Sequence, residues 1–135
     1  MADDETQRVA DVDAVLSTFQ MFLDGIRDRD KNRMLSLVLP TGGATLSRSP
    51  DTLILTLAEV VERIPFDGSA RVLEEVIYDP EVKIDHDIAM IWAPYKFYID
   101  GEIHHVGTNI VSLLKREGVW KISCVADNSR QPSPK

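Results

Sequence analysis

Residues 87–128 read DIAMIWAPYKFYIDGEIHHVGTNIVSLLKREGVWKISCVADN, and this stretch predicts two successive β-hairpins. Apolar and aromatic residues occupy the odd positions from 89 to 97, an alternation typical of a strand with one buried face. Asp100-Gly101 and Glu117-Gly118 predict the two reversals, because glycine adopts positive φ without steric cost. Long antiparallel strands therefore make up the C-terminal half of the predicted fold.

The loop length of the first hairpin decides which side chains face each other. A three-residue loop over residues 99–101 pairs Tyr95 with His105. A two-residue loop shifts the register by one and moves His104 opposite Phe97. The three-residue loop keeps the apolar residues of the returning strand on the buried face. We therefore expect the phenol of Tyr95 to face the imidazole of His105.

The second hairpin extends the same sheet. A two-residue loop at Glu117-Gly118 pairs Leu113 with Ile122 and Val111 with Cys124. Cys124 is the single cysteine of the chain and cannot form an internal disulfide. Its predicted position in the middle of a buried strand indicates an inert thiol rather than a nucleophile.

The two faces of the predicted sheet have different roles. One face carries Tyr95, His105 and Trp120, whereas Asp127 falls on the opposite face. The opposite face is rich in large apolar residues, and exposed apolar patches usually mark an interface. We therefore expect a homodimer that forms through this outer face. Its apolar members are Trp92, Tyr98, Val106, Ile110 and Leu114.

Helical periodicity dominates the first half of the chain. Apolar residues recur at spacings of three and four from residue 9 to residue 26, which predicts an amphipathic helix over residues 6–27. Asp30 predicts the cap of a second, shorter helix that ends at Pro40. A third helix is predicted over residues 53–64.

Short strands and turns connect these helices to the hairpins. A turn at residues 41–43 precedes a strand over residues 44–48, and a loop is predicted at residues 65–69. Further strands are predicted over residues 71–78 and 81–84. The predicted class is α+β, with three N-terminal helices on one face of an antiparallel sheet.

Composition restricts the classes of function. The chain has 135 residues, 44% of them hydrophobic, which predicts one domain over residues 1–130 and a flexible tail over residues 131–135. A net charge of −7 argues against a nucleic-acid partner, because phosphate binding needs clustered Lys and Arg. No apolar run approaches the roughly 20 residues that cross a bilayer. The acidic N-terminus differs from a signal peptide, so we expect a cytoplasmic protein with no membrane partner.

The order of elements and three segments of the hairpins resemble a known family. These segments are AMIWAPYKFYIDG at residues 89–101, HVG at residues 105–107 and GVWKI at residues 118–122. The chain resembles the nuclear transport factor 2-like superfamily, and within it the small SnoaL-like or lumazine-binding type. The resemblance implies a cystatin-like α+β roll, in which a cone-shaped curved antiparallel sheet wraps around the helices and encloses an apolar pocket. It also implies dimerisation through the outer sheet face. Fold alone does not give function in this superfamily.

Catalytic relatives in that superfamily include ketosteroid isomerase, epoxide hydrolases, dehydratases and polyketide cyclases. The first of these uses an Asp base with a Tyr donor, but here we can place no Asp on the inner face. We therefore expect His105 to act as base or acid and Tyr95 as electrophile in a cofactor-independent isomerase, cyclase or dehydratase. The substrate would be a small hydrophobic carbonyl compound. The expected ligand-binding residues are Asn109, Trp120, Phe97, Ile91, Phe19 and Arg48.

A second interpretation assigns no chemistry to these residues. Tyr95 and His105 then satisfy each other or the backbone inside a packed core. The chain would be a non-catalytic dimeric domain that binds a small apolar ligand or serves only in assembly. No cofactor is expected in either case. No metal site is expected either, because His104 and His105 are adjacent in a strand and point to opposite faces unless a bulge intervenes.

Overall fold

The computed structural model describes residues 2–64 and 71–133, with side chains described from Glu5 onward. The loop predicted at residues 65–69 and the last two residues of the predicted tail lie outside the described residues. The helices and strands, in chain order, are α1 (Ala2–Asp28), α2 (Lys31–Ser36), β1 (Val38–Arg48), β2 (Asp51–Thr56), α3 (Leu57–Glu62), β3 (Leu73–Ile77), β4 (Glu81–Asp85), β5 (Ile88–Ile99), β6 (Glu102–Arg116) and β7 (Val119–Asn128).

One seven-stranded sheet carries the fold. The strand order is β2-β1-β7-β6-β5-β3, and β4 pairs with the other end of β5. All pairs are antiparallel except β1 with β7, which are parallel. This curved open sheet with its N-terminal helix confirms the predicted α+β class. Within the described residues, no helix is long and apolar enough to span a membrane.

The core lies between α1 and the inner face of the long strands. A helix that packs on a sheet must bury one stripe of apolar residues, and α1 buries such a stripe from Val15 to Ile26. The first residue of the predicted stripe, Val9, is exposed instead. The buried residues of α1 are Val15, Phe19, Phe22, Leu23 and Ile26, and those of the sheet include Ile91, Ala93, Val111, Leu113 and Ile122.

Two side-chain caps fix the short helices. The Asp30 carboxylate accepts a hydrogen bond from the Arg33 amide at 3.0 Å, so the predicted cap of α2 is confirmed. Thr56 and Glu59 form a reciprocal capping box at the start of α3. Each box or cap satisfies backbone amides that have no partner within the first turn of a helix.

The N-terminal elements differ from the prediction in their boundaries. The second helix ends at Ser36 rather than at Pro40, and residues 38–40 already belong to β1. The turn predicted at residues 41–43 is also part of β1. The third helix begins at Leu57 rather than Leu53, because residues 51–56 form β2 and pair with β1. Pairing with a neighbouring strand overrides a helical pattern in a segment this short.

The register of the first hairpin was predicted wrongly. Its loop has two residues, Asp100 and Gly101, with φ of 52° and 81°, and Ile99 pairs with Glu102. His104 then forms a β-bulge, so that His105 lies opposite Phe97. Tyr95 consequently lies opposite Gly107 rather than His105. The two rings still share the inner face, at a centroid distance of 5.9 Å.

The second hairpin begins as predicted and then shifts. Leu113 pairs with Ile122, but a bulge at Ser123 moves Cys124 opposite Ser112 and Val125 opposite Val111. Cys124 is therefore exposed on the outer face instead of buried. The same shift moves Asp127 from the predicted outer face to the inner face, where it pairs with Asn109.

Candidate functional site

An apolar cavity of about 210 Å³ lies between the helices and the inner face of the sheet. Side chains of α1, α3 and β1 enclose it on one side, and β3, β5, β6 and β7 form the other. Its apolar lining includes Phe19, Phe22, Leu23, Leu46, Val60 and Phe97. Its polar lining consists of Arg48, Glu75, His105, Asn109 and Asp127. A few polar groups in an apolar cavity are typical of a small-molecule site.

Asp127 is held by two partners from different strands. Its Oδ1 lies 2.6 Å from Nη1 of Arg48, and its Oδ2 accepts a hydrogen bond from the Tyr95 hydroxyl at 3.0 Å. The Asp127 side chain is 10% exposed and that of Arg48 is 36% exposed, so water reaches the ion pair from the Arg48 side. The ring of Tyr95 is buried against Gly107. Burial, followed by the negative charges of Asp127 and Glu75, raises the pKa of Tyr95 above its ordinary value.

Glu75 is the second carboxyl group of the site. It lies on β3 opposite Phe97, and its Oε2 accepts a hydrogen bond from the Asn109 amide at 2.7 Å. Burial raises the pKa of Glu75 to about 7, and the charge of Asp127 adds to the increase. The Asn109 hydrogen bond and the Arg48 charge act in the opposite direction. At neutral pH this carboxyl group is therefore divided between its protonated and ionised forms.

His105 is oriented by three rings. It stacks on Phe97 at a centroid distance of 4.7 Å and meets Tyr95 edge to face. Its Nδ1 lies 3.0 Å from Nδ1 of His104, because the bulge at His104 brings two adjacent side chains together. Burial, and then the charges of His104 and Arg48, lower the pKa of His105, so the ring is neutral near pH 7.

The predicted site residues fall into two groups. Five of them line the cavity together: Phe19, Arg48, Phe97, His105 and Asn109. Tyr95 reaches the same site through its hydroxyl group.

Two predicted ligand-binding residues lie elsewhere. Ile91 is completely buried in the core, and Trp120 donates from its indole nitrogen to Asp11 at 3.3 Å. Neither residue lines the cavity. Both share the inner face of the sheet with Tyr95, and Trp120 contacts α1 through Asp11.

The sequence prediction missed both carboxyl groups. Glu75 shares its strand parity with the buried Leu73 and the partly buried Ile77, and this alternation was a usable signal. Asp127 was assigned to the wrong face because the bulge at Ser123 leaves no clear signal in the sequence. Within the described residues, no group of three or more His, Cys, Asp or Glu side chains is placed to hold a metal ion.

Comparison with known proteins establishes the fold. No protein-family model matches the sequence, and no curated protein matches it significantly. Among solved structures, a protein with a cystatin-like fold of the nuclear transport factor 2-like type from Novosphingobium aromaticivorans is similar, with 11% identity and a TM-score of 0.75 over 98% of this chain and 90% of that chain. The chain therefore has the nuclear transport factor 2-like fold, which confirms the fold implied by the resemblance.

Two similar structures carry names that refer to chemistry. A hexachlorocyclohexane dehydrochlorinase (LinA-type3) from Novosphingobium barchaimii is 13% identical, with a TM-score of 0.72 over 97% of this chain and 99% of that chain. A candidate dehydratase from Streptomyces avermitilis is 13% identical, with a TM-score of 0.73 over 93% of this chain and 99% of that chain. Likeness at this identity concerns the fold, and other similar structures are of unknown function.

Proposed function

We propose that this protein is a cofactor-independent enzyme that transfers a proton on a small hydrophobic carbonyl compound, as isomerases, cyclases and dehydratases do. One observation carries the proposal: the Glu75 carboxyl group has a pKa of about 7 and borders an apolar cavity. A general base is most effective when its pKa is near the working pH. Such a shift in a cavity is typical of an acid or base in an active site.

In this proposal Glu75 replaces His105 as the base. Its ionised form removes a proton from the carbon next to the carbonyl group and can return that proton to another atom of the substrate. Asn109 is a positioning residue, because its amide holds one carboxyl oxygen of Glu75 in place. The hydrophobic lining favours a substrate without many polar groups.

The negative charge that develops on the substrate oxygen requires a donor. Arg48 supplies a positive charge at the cavity wall. A His105 ring that accepts from Nδ1–H of His104 carries its own proton on Nε2 and can donate it to the substrate. Tyr95 is less suited to the predicted role of electrophile, because its hydroxyl group already donates to Asp127.

Exchange of substrate protons with D2O tests this proposal, because proton removal next to the carbonyl is common to the proposed reactions. We expect the protein to accelerate exchange in at least one of cyclohexanone, 2-methylcyclohexanone and 1-tetralone, measured by NMR. The rate should rise with pH and reach half its maximum near pH 7, since the ionised form of Glu75 is the active one. Glu75→Gln should slow exchange at least ~100-fold.

Glu74→Gln is the matched control, because Glu74 is the neighbouring carboxylate on the same strand and does not line the cavity. We expect it to exchange protons at the rate of the unmodified chain. Absence of exchange with all three ketones, or equal rates for Glu75→Gln and Glu74→Gln, would contradict the proposal.

A second candidate function is binding and assembly without chemistry. It is favoured by exposed Trp92 and Ile110 on the outer face of the sheet, which suit contact with a second copy of the chain. In that case the cavity holds a small apolar ligand. We further propose that the chain is of the SnoaL-like or lumazine-binding type and that it acts in the cytoplasm.

A further inference from the structure

A second apolar chamber adjoins the cavity that contains Glu75. It has a volume of about 250 Å³ and lies between β2 and α3, with Leu53 and Leu55 on its β2 side. The two chambers share six lining residues, so they lie side by side. The shared residues are Ile26, Leu46, Arg48, Val60, Ile64 and Phe97. We call the cavity that contains Glu75 the inner chamber and the second cavity the outer chamber.

The charged lining of the two chambers is distributed unequally. Glu75 and Asp127 lie at the inner chamber only. The charged residues of the outer chamber are Arg48, which lies at the junction, and Arg63, which is exposed at the end of α3. Charge therefore changes from negative groups inside to positive groups outside along the site.

Arg63 is an exposed cation beside the outer chamber. Acidic residues outnumber basic ones by 22 to 15, and Lys31, Arg33 and Lys115 all have carboxylate partners. In the described part of the chain, Arg63 forms no ion pair. A guanidinium group beside an apolar chamber is suited to bind a carboxylate, with two parallel hydrogen bonds.

We propose that the site takes an amphipathic carboxylate, whose apolar body occupies the inner chamber and whose anionic end binds Arg63 at the outer chamber. Arg48 supports this orientation from the junction, although its main partner is Asp127. The opposite orientation places the anion beside Glu75 and Asp127, where like charges repel. This inference deepens the proposed function and rests on it for the reaction that follows binding.

Calorimetric titration with three matched probes tests this proposal without any activity assay. The probes are 4-phenylbutanoate, 4-phenylbutanol and 4-phenylbutylamine, which share one apolar body and differ in the charge of the end group. We expect the carboxylate to bind ~10-fold tighter than the alcohol or more, as one charged hydrogen-bonding group allows. An amine bound in the same orientation should bind more weakly than the alcohol, because Arg48 and Arg63 repel it.

Variants locate the source of this preference. Arg63→Met should reduce the preference for carboxylate over alcohol to less than ~3-fold, because the long apolar side chain keeps packing area and removes the charge. Arg116→Met is the matched control, since Arg116 pairs with Asp87 and lines neither chamber, and it should retain the full preference. Circular dichroism shows whether both variants fold.

The outcomes separate this inference from the proposed function. Equal binding of carboxylate and alcohol, absence of binding by all three probes, or an unchanged preference in Arg63→Met overturns the amphipathic carboxylate even when Glu75-dependent proton exchange is found. A preference that depends on Arg63 supports it even when no exchange is found. Glu75→Gln should keep that preference, because Glu75 lies at the other end of the site.

Discussion

Glu75 is the proposed base of the site, and its ionisation also lowers the stability of the folded chain. The pKa of its carboxyl group is about 7 in the folded chain and near the ordinary value of 4.5 in the unfolded chain. The folded state therefore binds more protons than the unfolded state between these two pH values. The free energy of unfolding falls as pH rises through this range, because the penalty for ionising the buried carboxyl group exceeds the stabilisation from the Asn109 hydrogen bond.

Replacing this carboxyl group should stabilise the protein at alkaline pH. Glu75→Gln keeps an oxygen that accepts from Asn109 and removes the buried charge. We expect the variant to gain more at pH 8 than at pH 5, with a difference of about 2–3 kcal/mol in the free energy of unfolding. Urea unfolding at the two pH values, at one protein concentration, measures it.

Glu74→Gln provides the comparison for this stability series, because Glu74 lies on the same strand and is about half exposed. We expect its free energy of unfolding to follow that of the unmodified chain at both pH values. A Glu75→Gln variant whose gain is the same at pH 5 and pH 8 would show that Glu75 ionises normally. The proposed base would then lose its main support.

At the scale of strands and helices, the alternation and the turn residues predicted the two hairpins, whereas the strand register was predicted only in part. The alternation and the Asp-Gly and Glu-Gly reversals were sufficient to predict two hairpins, and both loops are two-residue turns with positive φ. The bulges at His104 and Ser123 were not predictable, because neither position has the glycine that would mark one. A bulge moves every later side chain to the other face, so the position of Asp127 was missed.

The boundary between β2 and α3 was predicted wrongly for another reason. Residues 51–56 alternate as a strand, while residues 53–64 also contain apolar residues at helical spacing. Both patterns are present, and α3 has only six residues. Hydrogen bonds to β1 decide in favour of a strand at Leu53 and Leu55, and such a contact is not visible in local sequence.

Close packing between β5 and β6 gives a prediction at this scale. A Cβ atom at Gly107 would lie 2.8 Å from Cε1 of Tyr95 and 2.9 Å from its hydroxyl oxygen. Gly107→Ala should therefore displace the Tyr95 ring and break its hydrogen bond to Asp127, at a cost of about 1–3 kcal/mol. Thermal or urea unfolding measures the loss.

Gly43→Ala is a suitable control, because no heavy atom lies within 4 Å of the added Cβ on β1. Its effect on stability should be small. In a Tyr95→Leu background the cost of Gly107→Ala should shrink, since the ring that clashes is gone. Equal stability of Gly107→Ala and Gly43→Ala would refute the close contact.

At the scale of the whole molecule, the two faces of the sheet have different roles. The inner face and helices enclose the chambers, whereas the outer face of β5 and β6 exposes Trp92 and Ile110, which pair directly in the register. Their exposed fractions are 43% and 42%, unusually large for side chains in the middle of central strands. Such a patch is best accounted for by a partner that covers it.

We propose that a second copy of the chain covers this face. A two-fold contact brings the same patch of each copy together, so Trp92 and Ile110 of one copy would lie against those of the other. Sedimentation at micromolar concentration should show a dimer for the unmodified chain. Trp92→Glu should shift it to the monomer, because two buried carboxylates without partners oppose association. Ile54→Glu should remain dimeric, since Ile54 is 79% exposed on β2, outside the patch. A monomeric unmodified chain, or equal behaviour of the two variants, would overturn the proposed dimer.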